Sequence, residues 1–446
     1  MIIEKKNYVV YCVFVKRKKQ EVLWQKSRAP SFTGRVETIP VRRGRKALTN
    51  RPRYCIVYCV SNIPNDERKD GFQMTDDAAK EIKTERHGER LVELDLLKVV
   101  AIVAMIVCHA VIMLGSHHEN YEGDLAYFIG DYVLGSYLAV AHAFMFAMGV
   151  GIVLTEKNRP ADLVKRGVFL YLAGYVLNFF RYGVYALADG LIEGEFLEET
   201  AYAFLVQDFF HFAGLALVFT GVLKALRCRE WQICLVGVAL SFAGAPLAFL
   251  YSGNAALEYL LGHFVVTTED GSTFAFLNWY VFVGAGLLFG RILRKTKDRD
   301  RLYRLLFFVS APYTVVYVVL TFVFGAMFLC KNGWYYAVSF PEAVGLLSID
   351  LTLLSSFYFL QKRLPERILA ISSEMSRNLT PIYFSQWCVI GFVDSVFCYL
   401  LGFVIPYPAA YAFGVALIVV SYWIAKGWRA LQKRHRRKKA PPEPTA

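Results

Sequence analysis

Lys98 and His109 stand eleven positions apart in one apolar run that begins Leu94-Asp95-Leu96-Leu97-Lys98 and ends Val107-Cys108-His109. Eleven residues advance an α-helix by about three turns and roughly 16 Å, so the two side chains share one helix face. A bilayer tolerates ionisable groups only where they face a protein interior or a watery cavity. An ammonium near one end and an imidazole deep in the run therefore describe one wall of a path across a membrane. The ammonium suits phosphate oxygens, and the imidazole suits proton transfer near neutral pH.

Further polar groups lie in apolar runs at matching depth. His142 sits in Ala141-His142-Ala143-Phe144, and Gln207-Asp208-Phe209-Phe210-His211 places Asp208 and His211 three apart on one helix face. Counting about 1.5 Å per residue from the run ends brings His109, His142, Asp208 and His211 to one level in the outer third of the membrane. A histidine with a carboxylate partner is the usual device for taking a proton from a hydroxyl or amine. His109 is expected as general base or nucleophile, with Asp208 or His211 orienting it or binding the acceptor, and His142 lining the acceptor chamber. The plainer alternative is a set of satisfied interhelical hydrogen bonds. No ligand spacing supports a metal site.

At the opposite ends of the runs, Asp95, Lys98, Arg166 and Ser376-Arg377-Asn378 form a polar rim. Basic groups there could hold the phosphates of a nucleotide-bearing donor. Snorkelling to the interface is the alternative and suits Arg166 best. Asp95 could instead pair with Lys98 at i,i+3.

The elements that must position these groups follow from composition. Of 446 residues, 56% are hydrophobic and 15% aromatic, which points to an all-α, polytopic membrane protein. Apolar runs long enough to cross about 30 Å of hydrocarbon occur near 94–115, 136–155, 163–183, 203–226, 231–251, 274–293, 303–328, 342–361, 379–401 and 407–427. Ten spans place both termini on one side. Basic clusters at Lys165-Arg166, Arg227 to Arg229, Arg291 to Arg304, Lys362-Arg363 and Lys433 to Lys439 mark that side as cytoplasmic, and segments 116–135, 184–202 and 252–273 carry no Lys or Arg. Two segments on the other side, 127–134 and 257–266, read as short amphipathic or half-inserted helices, forming a lid or a wall for an outward-facing site.

The formal charge of +13 is not a nucleic-acid signal, because residues 1–73 hold 17 Lys+Arg against 6 Asp+Glu and the remainder is near neutral. The apolar pieces in 1–73 are too short to span. We read Met74 as the translation start and 1–73 as an upstream misreading; a basic arm on anionic lipid is the alternative. Residues 74–93 are then a cytoplasmic N-terminus, 94–427 the ten-span domain and 428–446 a basic cytoplasmic tail. Nine cysteines show neither a CxxC nor a Cys/His cluster.

The motif Glu93-Leu94-Asp95-Leu96-Leu97-Lys98 with His109 resembles the first-span motif of transmembrane acyltransferases, which have Arg or Lys, ten residues, then His. Four more segments resemble the branch related to heparan-alpha-glucosaminide N-acetyltransferase: His142 to Gly151, Gln207 to Ala216, Asn278-Trp279 to Gly290, and Ser376-Arg377-Asn378 to Tyr383. That family usually has Arg-Gly where this chain has Lys98-Val99. The resemblance covers roughly 90–425. It implies an enzyme of the cell membrane that takes an acyl group, most often acetyl, from cytoplasmic acyl-CoA as co-substrate and passes it to a glycan or glycolipid acceptor outside. By the family's pattern His109 is catalytic and Lys98 lines the acyl-CoA path. Asp95, Arg377 and Asn378 fall on the donor side, Gln207 and Trp279 in the acceptor chamber. The alternative function is a secondary transporter with an intramembrane His/Asp proton relay; the absence of a convincing internal repeat weakens it.

Overall fold

A computed structural model describes residues 4–5, 8–11, 58–59, 90–115, 124–138, 141–155, 158–184, 187, 190, 204–249, 253–267, 273–325 and 327–439. The chain divides into two compact units, Met1–His87 and Gly88–Ala446. In the first, the described pieces β1 (Glu4–Lys5), β2 (Tyr8–Tyr11) and β3 (Tyr58–Cys59) pair antiparallel in that order. The expected start at Met74 lies outside the described residues.

The second unit is helical. Among the described residues, nine helices are long and apolar enough to cross a membrane, and a tenth, Phe209–Ala225, is apolar but shorter. In chain order the elements are α1 (Val92–Gly115), α2 (Leu125–Phe128), α3 (Ala141–Leu154), α4 (Pro160–Asn178), α5 (Phe209–Ala225), α6 (Glu230–Leu247), α7 (Ala255–Gly262), α8 (Phe276–Lys295), α9 (Arg299–Phe324), α10 (Phe340–Leu360), α11 (Glu366–Arg377), α12 (Leu379–Val393) and α13 (Tyr407–Lys439). Three π-helical stretches continue α2, α4 and α12: Ile129–Tyr137, Phe179–Gly183 and Asp394–Leu400.

Helix α1 is apolar on every side and correspondingly buried, packing against α3, α10, α11, α12 and α13. It carries Lys98 and His109, so both lie on a helix enclosed by its neighbours. Helix α9 is the opposite case: Phe308, Val309 and Phe322 are exposed along it, as expected of a peripheral, lipid-facing helix. Between helices, small residues permit close crossings. A Cβ on Gly286 would stand 2.0 Å from the Phe146 carbonyl, and one on Gly149 would stand 2.3 Å from the Val283 carbonyl, so α3 and α8 meet backbone to backbone.

Two elements differ from expectation. The run expected as a helix from 203 becomes helical only at Phe209, because Asp208 is extended (φ −122°, ψ 172°) and its N–H bonds to the His211 ring. Segment 127–134, expected as a short helix between spans, lies within α2 and its π-helical continuation, a stretch that counts with α3 as one candidate span from Leu125. Segment 257–266 does contain a short helix, α7.

Candidate active site

Helix α12 organises the site. Tyr383, Gln386 and Trp387, at i, i+3 and i+4, share one of its faces. The Tyr383 hydroxyl lies 2.9 Å from each oxygen of Asp208, which caps α5. Gln386 meets His109 Nδ1 with its amide nitrogen at 3.0 Å and its amide oxygen at 3.4 Å. Trp387 packs against the His109 ring, centroids 4.1 Å apart and planes 33° apart. The same indole takes the Arg181 guanidinium, 3.5 Å from its ring centre. Arg181 reaches on to Asp208, Nη1 to Oδ1 at 3.5 Å. His109 and Asp208, from α1 and α5, are thus joined through Trp387 and Arg181.

The His211 ring does not donate to the Asp208 carboxylate. Its Nδ1 accepts the Asp208 backbone N–H at 3.0 Å, which leaves the proton of the neutral ring on Nε2. That ring packs against Tyr175 at 4.4 Å, Tyr171 at 5.2 Å and His263 at 5.7 Å. His263, just past α7, donates from Nδ1 to the Tyr259 carbonyl, and burial holds it below the ordinary histidine value. Gln207 hydrogen-bonds the Phe274 carbonyl at 2.6 Å, tying α5's entry to the start of α8.

His142 is placed differently. Its Nδ1 lies 3.0 Å from Asp350 on α10 and its Nε2 lies 3.1 Å from the Ser136 carbonyl, with both side chains of the ion pair fully enclosed. Both ring nitrogens are therefore engaged within the protein. Trp279 is buried and donates to the Tyr336 carbonyl at 3.0 Å.

A cavity of about 410 Å³ opens beside this cluster. Lys98, Arg166, Arg377, Ser376, Thr155 and Thr380 line its polar part, and Ile102, Phe144, Leu170, Phe210 and Leu217 are among its apolar walls. Tyr383 lines it too, which connects it to Asp208. Lys98, Arg377 and Arg166 come together here. Asp95 does not pair with Lys98 but binds Arg90, with Ser376 Oγ at 2.5 Å and Ser373 Oγ at 3.3 Å, pinning α11 to α1. Asn378 donates to the Glu374 carbonyl and closes the end of α11. Among the described residues no cluster of three or more His, Cys, Asp or Glu could hold a metal.

The family model for the catalytic region of heparan-alpha-glucosaminide N-acetyltransferase matches residues 90–321, just over half of the chain. The chain belongs to that family. No curated protein matches it. The family match takes in Lys98, His109, Arg181 and Asp208 and stops short of Tyr383, Gln386 and Trp387 on α12. The matched region thus supplies His109, Arg181 and Asp208, and α12 supplies Tyr383, Gln386 and Trp387, which contact them.

Sequence reasoning missed Arg181, Gln386, Trp387 and Asp350. Arg181 had a signal, being an arginine inside a run read as spanning to 183. Asp350 had one as well, as a lone acid in the centre of α10's run. Gln386 and Trp387 are ordinary residues for a span, and only the fold turns them towards His109.

Proposed function

We propose that this protein transfers an acetyl group from acetyl-CoA, bound from the cytoplasmic side, to a hydroxyl or amine of a glycan or glycolipid on the outer face. The carrying observation is the cavity that has Lys98, Arg166 and Arg377 in its polar part and Tyr383 in its wall. Three cations suit the phosphates of CoA, and the apolar walls suit the pantetheine arm. In this reading the Lys98 end of the bundle is cytoplasmic, both termini lie on that side, and the chain is a multi-pass protein of the cell membrane with lipid, acyl-CoA and a sugar acceptor as partners.

His109 then acts as general base. Gln386 selects the tautomer: with its amide oxygen accepting the Nδ1 proton, the Nε2 lone pair is free. A small rotation of the amide exchanges the two contacts at 3.0 and 3.4 Å. The acceptor's proton passes to Nε2 as its oxygen or nitrogen attacks the thioester carbonyl. The C–S bond breaks, and the imidazolium returns the proton to the departing thiolate. Asp208, held by Tyr383, orients the acceptor, with His211 beside it. Gln207 and Trp279 shape the acceptor side by fixing the segments around Phe274 and Tyr336.

Titrating acetyl-CoA into the purified full-length protein in lipid nanodiscs tests the donor half. The reading expects thermal stabilisation by acetyl-CoA that weakens about tenfold or more in concentration dependence when Lys98 and Arg377 are both replaced by Gln, each lost phosphate contact being worth about 1–2 kcal/mol. Equal stabilisation of both proteins, or none of either, contradicts it.

A further inference from the structure

Arg181 is largely enclosed, with 12% of its side chain exposed, yet its donors are poorly used. Its contact to Asp208 is 3.5 Å, longer than the roughly 2.7–2.9 Å of a charge-assisted hydrogen bond. Asp208 already takes the Tyr383 hydroxyl at 2.9 Å on each oxygen. The Arg181 Nε is buried without a partner. Stripping water from a five-donor fork without replacing its hydrogen bonds is costly. A residue serving only to tie α4 to α5 and α12 would be expected to close those bonds.

Two further observations concern the surroundings of the guanidinium. It lies on the Trp387 indole, against which His109 also packs. It also stands within the π-helical stretch Phe179–Gly183. Such a widened turn is uncommon and is found frequently at functional sites.

We propose that Arg181 is the oxyanion-binding residue of the acyl transfer, its ligand being the negatively charged oxygen of the tetrahedral intermediate. The inference rests on the acetyltransferase reading above. When the acceptor attacks, a bond forms to the carbonyl carbon and the acceptor's proton goes to His109 Nε2. The carbonyl π pair moves onto oxygen, where the guanidinium takes up its charge. Collapse restores the carbonyl and expels the CoA thiolate, which takes the proton from the imidazolium. Donors held in an enclosed site, and underused until charge appears, stabilise the transition state more than the ground state.

The test is steady-state kinetics of CoA release by purified wild type, Arg181→Lys and Arg181→Met, with crude envelope glycan as acceptor and thermal stabilisation by CoA as the folding control. The expected result is a kcat about 100-fold lower or more for Arg181→Met, a KM for acetyl-CoA within threefold of wild type, and a smaller kcat loss for Arg181→Lys. Methylguanidinium added to Arg181→Ala is expected to restore part of the kcat. If Arg181→Met does not fold, Arg181→Lys and the rescue decide. A kcat within fivefold of wild type in the folded variants overturns the proposal. So does a loss confined to KM for the glycan, which would make Arg181 a binding group for an acidic acceptor. Absence of CoA release by wild type itself would instead sink the acetyltransferase reading.

Discussion

The Tyr383 hydroxyl stands 2.9 Å from both carboxylate oxygens of Asp208. Asp208 caps α5 within the family-matched region, whereas Tyr383 lies on α12 beyond it and also lines the basic cavity. One phenol thus couples the wall of the candidate donor site to the carboxylate that shares Arg181 with the His109 cluster. Removing the hydroxyl in Tyr383→Phe costs about 1.5–3 kcal/mol, as for a buried hydrogen bond to a charged group. Asp208→Ala costs more, about 3–5 kcal/mol, because it leaves the Arg181 cation buried and unpaired. Unfolding in mixed micelles measures both, and an Asp208→Ala cost no greater than that of Tyr383→Phe contradicts the ordering.

Gly151 lines the cavity, and a Cβ built there meets no atom within 4 Å. Gly151→Phe is therefore expected to fill the cavity at little expense in stability. Acetyl-CoA should no longer stabilise this variant while its unfolding midpoint stays close to wild type. Undiminished acetyl-CoA binding would show that the donor lies elsewhere.

Gly286 offers the contrasting case. A methyl there would stand 2.0 Å from the Phe146 carbonyl, so α3 and α8 must separate. Gly286→Ala should destabilise by about 1–3 kcal/mol, the range for overpacked interiors. A thermal midpoint unchanged from wild type would contradict the close crossing.

The His142–Asp350 pair is fully enclosed on both sides. Replacing Asp350 by Ala strands the imidazole and is expected to cost about 3–5 kcal/mol. Measured unfolding of Asp350→Ala against the double variant with His142→Phe checks this, since removing both partners should recover part of the loss.

On α11, Glu374 accepts from Tyr422 at 2.6 Å and lies 3.6 Å from Lys426, both on α13. The Tyr422 hydrogen bond first, and the Lys426 charge with it, hold the Glu374 carboxyl below its ordinary value. A lowered folded-state value means that the contribution is present at neutral pH and is lost as pH falls through that lowered value. Protection of α11 amides, measured by hydrogen exchange relative to the intrinsic rate at each pH, should fall at acid pH, and Glu374→Gln should flatten that dependence. An equally steep dependence in the variant would place the titrating group elsewhere.

The spans were legible because a bilayer demands long apolar runs, and α1, α8, α10, α12 and α13 fall close to where the composition puts them. His109, His142, Asp208 and His211, expected at one depth, all make buried or half-buried polar contacts. Depth fixes a height, however, and says nothing of the direction a side chain faces around its helix. His142 turns to Asp350 on α10, and Asp208 meets Tyr383 and Arg181, none of which depth counting could pair. The entry to α5 was read as helix because Phe204-Leu205-Val206 is apolar, whereas the Asp208–His211 cap sets the boundary. Lys98 and Arg377 were legible as basic groups beside apolar runs. That Arg166 joins them in one cavity required the packing of α1, α4 and α11.

The most direct measurement is CoA release from acetyl-CoA by membranes containing the protein, supplied with crude envelope glycan, compared with His109→Ala at equal expression. The account predicts release that requires the glycan and falls by at least about 100-fold in His109→Ala, the scale of a lost general base. Release that is independent of the glycan, or equal in the two proteins, would contradict it.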